Sequence, residues 1–216
     1  MLTPRILLTG FEPFGGDPVN PSGLICRALQ GQRVGAAVIQ AVELPCVFGH
    51  SLQVLDEALA AHRPVLVLAL GLAAGRGGLS AERVAINVDD ARIPDNAGAQ
   101  PVDEPIVPGG PAAWFSTLPV KAIVASWRAA GLPGAVSQTA GTFVCNHVFY
   151  GLQHRLAGSG VRSGFVHVPL ADSQAAAHPG QPTLPLQSLV LGTRIALEVA
   201  LTHEGADLQA GDGAVA

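Results

Sequence analysis

Short apolar, β-branched runs at 5–9, 37–44, 65–70, 83–88 and 164–168 alternate with stretches of helical spacing at 21–29, 48–62, 120–130, 144–156 and 186–203. The first set reads as strands bounded by turn formers. The second reads as helices, the earliest of them behind a cap at Asn20 or Ser22. Several of the strands are apolar on both faces, and such strands belong in a central sheet with helices packed on each side. The expected fold is a three-layer α/β/α sandwich around a largely parallel (mixed) sheet.

The 26 glycines and 17 prolines cluster at 10–21, 71–78, 94–111 and 179–185 rather than in one interdomain linker. They read as loops over strand ends. In open α/β sheets the binding crevice lies outside the carboxyl ends of the strands, so the loops after Thr9, Leu70 and Val88 are where chemistry is expected. The 216 residues are expected to form one domain over 1–203. The small, polar, aperiodic segment 204–216 is expected to be a flexible tail.

Apolar residues make up 49% of the chain and charged ones 13%, which excludes a disordered or supercharged chain. With 12 Lys+Arg against 16 Asp+Glu and no basic run, nucleic acid is not an expected partner. The first residues carry no readable signal peptide, and no apolar stretch approaches the roughly 18–20 residues of a membrane span. A cytoplasmic location without a membrane partner is the expectation. Phosphate-binding loops, dinucleotide fingerprints, the GxSxG elbow, HExxH and calcium loops are absent. The Gly-rich run at 71–78 lacks the lysine and spacing of a phosphate loop and reads as a structural turn. Cys26, Cys46 and Cys145 form neither a zinc pattern nor a disulfide framework, and no metal or cofactor is expected.

Cys145 follows the small-residue turn Ala140-Gly141-Thr142 and stands within the first turn of a helix. Free N–H groups there favour a thiolate, drawing a cysteine pKa from about 8.5 toward neutrality, and also suit the oxyanion of an attacked carbonyl. The competing reading is a small buried hydrophobe. Among the seven histidines, His50, His62, His154, His178 and His203 read as surface residues. His147, about 200° round the helix from Cys145, should miss the sulfur. His167, near the end of an apolar strand stopped by Pro169, is placed either as a base facing a crevice or as a satisfied core histidine. Glu82 could orient such an imidazole. It reads equally as an ordinary strand-start charge, and Asp89, Asp90 and Asp95 as turn formers.

The blocks LLTGFEPFGGDPVNPS, GLAAGRGGLSAERVAINVDDARIPDNAGAQP, AGTFVCNHVFYGL and GFVHVP, in that order, together resemble the pyroglutamyl peptidase I (pyrrolidone-carboxylate peptidase) family of cysteine peptidases. The resemblance implies a single α/β/α domain, an intracellular location, no cofactor and assembly into homodimers or homotetramers. It implies hydrolysis of the amide after an N-terminal pyroglutamyl residue of peptides, with Cys145 as nucleophile, His167 as base and Glu82 orienting that base. Phe11, Phe14, Ile93, Phe143 and Val144 match family positions lining the lactam slot, and Arg92 would add positive charge. One departure stands out. Leu72 replaces a glutamine that the family uses to hydrogen-bond the lactam, a loss worth about 0.5–1.5 kcal/mol. Restoring glutamine is expected to improve turnover. The alternatives are a catalytically weak module binding lactams or cyclic amino acids, and a hydrolase of another small acyl substrate.

Overall fold

The computed structural model describes residues 3–213. Met1, Leu2 and residues 214–216, at the two ends of the expected domain and tail, lie outside the described residues. In chain order the elements are β1 (Arg5–Phe11), α1 (Pro21–Leu29), β2 (Arg33–Val34), β3 (Ala37–Leu44), α2 (His50–His62), β4 (Leu66–Leu72), β5 (Leu79–Glu82), β6 (Val84–Ile86) and β7 (Ala113–Phe115). Then follow α3 (Val120–Ala129), β8 (Gly134–Ser137), α4 (Val144–Leu156), β9 (Arg162–Val168), β10 (Leu170–Ala171), a 3-10 turn (Asp172–Gln174), β11 (Thr183–Leu184) and α5 (Leu186–Thr202).

Seven strands form the main sheet in the order β2-β3-β1-β4-β9-β5-β8. Strands β3, β1, β4 and β9 run parallel, β5 is antiparallel to β9, and β2 is antiparallel to β3. The sheet is mixed, as expected. Strand alternation divides the core into two. Ile6, Leu8, Leu66, Leu68 and Leu70 pack under α1, α3 and α5, with Ile25, Trp127 and Leu197. Leu7, Val67, Ala69 and Phe165 pack under α2 and α4, with Leu55, Val148 and Phe149. Burial of both faces explains why β1 and β4 read as nearly continuous apolar runs.

The cap of α1 is Asn20, whose Oδ1 accepts from the Ser22 N–H at 3.1 Å while Pro21 takes the first helical position. The strand expected over 83–88 is the shorter Val84–Ile86, and a strand that was not expected precedes it. Leu79–Glu82 enters the main sheet, and Val84–Ile86 leaves it to pair with β7. Glu82 therefore ends a strand rather than opening one. The segment LSAE carries no β-branched residue, so nothing local marked it.

Beyond α5 the described residues form no regular element, yet they are tethered along α3. Asp207 accepts from the N–H groups of Lys121 and Ala122 at 2.8 and 3.0 Å. The N-terminus of α3 has no side-chain cap of its own, and a carboxylate from the expected tail satisfies its free donors. Lys121 Nζ donates to the Ala210 carbonyl, and Arg128 pairs with Asp212.

Candidate active site

Cys145 is the second residue of α4, whose N-cap, Phe143, offers no side-chain hydrogen bond. The first-turn N–H groups are thus free to face a ligand. Asn146, fully buried, clamps this turn to β6. Its Oδ1 accepts from the Ile86 N–H at 3.0 Å, and its Nδ2 donates to the carbonyls of Ile86 and Val88 at 2.9 and 3.0 Å. Beneath the thiol lies Gly71 of β4. A Cβ there would stand 2.7 Å from Cys145 Sγ and 2.8 Å from Phe165 Cζ, so glycine alone lets the sulfur sit on the sheet.

Gly71 is in register with His167 on the neighbouring strand β9. His167 in turn opposes Ser80 of β5. Side chains two apart share a strand face, so Glu82 is the diagonal neighbour of His167 on the side that carries Cys145. Glu82 Oε1 lies 2.7 Å from His167 Nδ1, with the carboxylate side chain wholly buried and the imidazole nearly so. The same Oε1 accepts from Arg76 Nη1 at 2.7 Å, leaving Oε2 without a partner among the described residues. Arg76 also donates to the Thr139 carbonyl, in the loop that leads to α4.

Burial holds the His167 pKa below the ordinary histidine value, and the Glu82 hydrogen bond opposes that shift only in part. Burial, with Cys46 and Glu82 nearby, pushes the Cys145 thiol up, against the pull of Arg76. This reverses the expected lowering of the thiol pKa. The helix start does favour a thiolate, but desolvation and the Glu82 charge outweigh it. Both directions favour a neutral thiol and a neutral imidazole at rest. With Nδ1–H directed at Glu82, Nε2 is left bare to take a proton.

The aromatic residues divide into floor and wall. Phe11 (2% exposed) and Val144 (0%) are core residues below the site, without the open surface expected of slot residues. Phe14 and Phe143 are half-buried, their ring centroids 6.2 Å apart. Phe48, expected only as the start of a helix, meets Phe143 edge-on at 5.4 Å. Ile93 stands on the loop surface at 48% exposure. Arg92 is exposed, and the guanidinium at the carboxylate is Arg76 instead. Leu72 pairs with Val168 at the end of β4, where strand alternation puts it on the face of Leu70 and Val168 rather than that of Gly71.

Sequence reasoning missed Arg76, Phe48, Asn146 and the His147–Asp89 pair. For Arg76 a signal existed, a cation in a Gly-rich turn only a few residues before Glu82. All three cysteines are free, and among the described residues no cluster of His, Cys, Asp and Glu could hold a metal ion. No helix among them is long and apolar enough to cross a membrane.

Residues 4–203 match the family described as pyroglutamyl peptidase. The chain is 61% identical over 202 residues to a pyrrolidone-carboxylate peptidase of Cupriavidus taiwanensis, covering 92% of this chain and 94% of that one. It is 56% identical over 210 residues to its counterpart in Klebsiella pneumoniae, covering 97% and 98%. Its fold matches the crystal structure of pyroglutamyl peptidase I from Bacillus amyloliquefaciens at a TM-score of 0.93 and 45% identity, covering 97% of this chain and all of the other.

Proposed function

Since the chain belongs to the pyroglutamyl peptidase family, a family of cysteine peptidases that remove N-terminal pyroglutamate from peptides, we propose that Cys145, His167 and Glu82 carry its reaction. The observation that supports this is the line from the half-buried Arg76 through the buried Glu82 to His167, which ends at the strand position beside Gly71, under the thiol. A binding module has no chemical need for the thiol, the imidazole and the carboxylate together.

As Cys145 Sγ attacks the pyroglutamyl carbonyl, the thiol proton passes to His167 Nε2 and an S–C bond forms. The carbonyl π pair moves to oxygen, where the free N–H groups at the start of α4, that of Cys145 among them, stabilise it. Glu82 holds the resulting imidazolium. When the oxyanion collapses, the C–N bond breaks and His167 returns its proton to the departing amine. Water then attacks the thioester, giving its proton to His167. The C–S bond breaks as this adduct collapses, free pyroglutamate leaves, and His167 returns the proton to the sulfur, restoring the thiol.

The lactam ring is small, uncharged and flat, and the half-buried Phe14, Phe48 and Phe143 suit it as walls. Cys46 and Ile93 border the same loops. We assign the chain a single peptidase domain, a cytoplasmic location and assembly as a homodimer or homotetramer, the last open to light scattering.

The direct test is fluorophore release from a pyroglutamyl amide by the reduced protein, beside Cys145→Ala. Release that is lost in the variant is expected. Release that persists in it would remove Cys145 from the mechanism.

A further inference from the structure

A second buried imidazole–carboxylate pair joins α4 to the segment after β6, and the reaction does not use it. His147 Nδ1 is 2.7 Å from Asp89 Oδ2, and the two residues are 5% and 6% exposed. Across the ring, the Gly49 N–H donates to His147 Nε2 at 2.9 Å. A backbone N–H only donates, so Nε2 must hold the lone pair and Nδ1 the proton that faces Asp89. His147 is therefore set as an acceptor toward the loop at 45–49.

That loop carries the Phe48 wall. Its Cys46 N–H is held by Glu12 Oε1 at 3.0 Å and its Phe48 N–H by Asp95 Oδ2 at 2.9 Å. Backbone donors at 46, 48 and 49 are thus each held by a side chain, from the loop after β1, the loop before Asn96, and α4. Asp95 is itself fixed, its Oδ1 accepting from the N–H groups of Ala97 and Ala99. The Phe48 ring stands edge-on to the His147 ring at 5.4 Å and edge-on to Phe143 at 5.4 Å. His147 touches this wall twice, through Gly49 and through the Phe48 ring.

We propose that His147, with its tautomer set by Asp89, is a positioning residue for lactam recognition, fixing Gly49 and Phe48 so that the aromatic slot keeps the width of a five-membered lactam. The proposal rests on the pyroglutamyl peptidase reading. Its consequence is a division of labour along one helix: Cys145 serves the chemical step, and His147, turned away from the sulfur, serves binding. Loss of the acceptor frees Gly49 and loosens the slot while leaving Glu82, His167 and Cys145 in place.

Steady-state kinetics on a pyroglutamyl amide should be measured for the wild-type enzyme and for His147→Leu, His147→Asn and His147→Gln. Binding of free pyroglutamate should be measured by calorimetry in the Cys145→Ala background. Glutamine reaches the place of Nε2 and keeps an acceptor for Gly49, whereas asparagine reaches only the place of Nδ1. Loss of the acceptor is expected to raise KM about tenfold in the Leu and Asn variants, with kcat within about threefold, and to weaken pyroglutamate binding by a similar factor. His147→Gln should recover most of the loss. If the Leu variant fails to fold, the Asn and Gln pair decides. Wild-type KM in Asn, or equal losses in Asn and Gln, would overturn the proposal. Absence of turnover in the wild-type enzyme would instead overturn the functional reading beneath it.

Discussion

His167 Nδ1 and Glu82 Oε1 lie 2.7 Å apart on adjacent antiparallel strands, both side chains almost fully removed from solvent. Pairing on the sheet, rather than a mobile loop, sets this distance. The imidazole therefore has one tautomer and one direction. Replacing Glu82 with glutamine keeps the shape, but its amide N–H₂ can meet Nδ1 as a donor and turn the proton to Nε2. The expected result for Glu82→Gln is a kcat lower by roughly 10²–10⁴-fold with KM little changed, read from steady-state kinetics.

Turnover needs neutral His167, whose pKa burial holds down. Activity should thus persist below the ordinary histidine range as pH falls, and be lost as pH passes down through the depressed pKa. Arg76 helps to depress that pKa. In Arg76→Met the acid limb of kcat/KM should move to higher pH, with kcat lower by about tenfold as Glu82 loses a charge-assisted hydrogen bond. An unmoved limb would separate Arg76 from the catalytic line.

Burial pushes all three thiols up, those of Cys26 and Cys46 to about 12, so access decides between them: Cys26 and Cys46 are under 5% exposed, whereas Cys145 is half-buried. Iodoacetamide should modify Cys145 first. Because its own pKa is raised, the labelling rate should climb steadily above neutral pH rather than level off near pH 7. Mass spectrometry of digests taken over a pH series gives both results.

The resemblance puts Leu72 against the lactam, whereas strand alternation places it on the face of β4 opposite Gly71. Leu72→Gln should therefore change kcat/KM by less than about threefold, below the effect of one net hydrogen bond. An improvement of about tenfold would return that side chain to the pocket.

Stability should also follow pH. His167 is buried neutral, with a folded pKa below its unfolded one, so the unfolded chain binds more protons between the two values. Its contribution is present above the unfolded pKa and is lost as pH falls toward the folded one. Thermal melts of wild-type protein and His167→Gln should diverge less in acid than at neutral pH.

Much of the layering was legible because β1, β4 and β9 are apolar on both faces and α4 begins just after the turn at Gly141. Short elements were not. LSAE and GAVS enter the main sheet through their neighbours rather than by propensity, and Glu82 was consequently placed at the wrong end of its strand. Glu82, His167 and Cys145 could be proposed from sequence, but not their burial, which pushes the thiol pKa up rather than down. Nor could the sequence bring Arg76 onto Glu82, or Gly49 onto His147, because those contacts form only once loops from separate strands converge.

The claim that Cys145 carries the acyl group is tested most directly by acid-quenching the enzyme during turnover of a pyroglutamyl ester, whose good leaving group lets deacylation limit the rate. The expected result is a mass increase of one pyroglutamyl group, confined to the peptide containing Cys145 and absent from Cys145→Ala. Turnover with no adduct, or an adduct on Cys46, would contradict it.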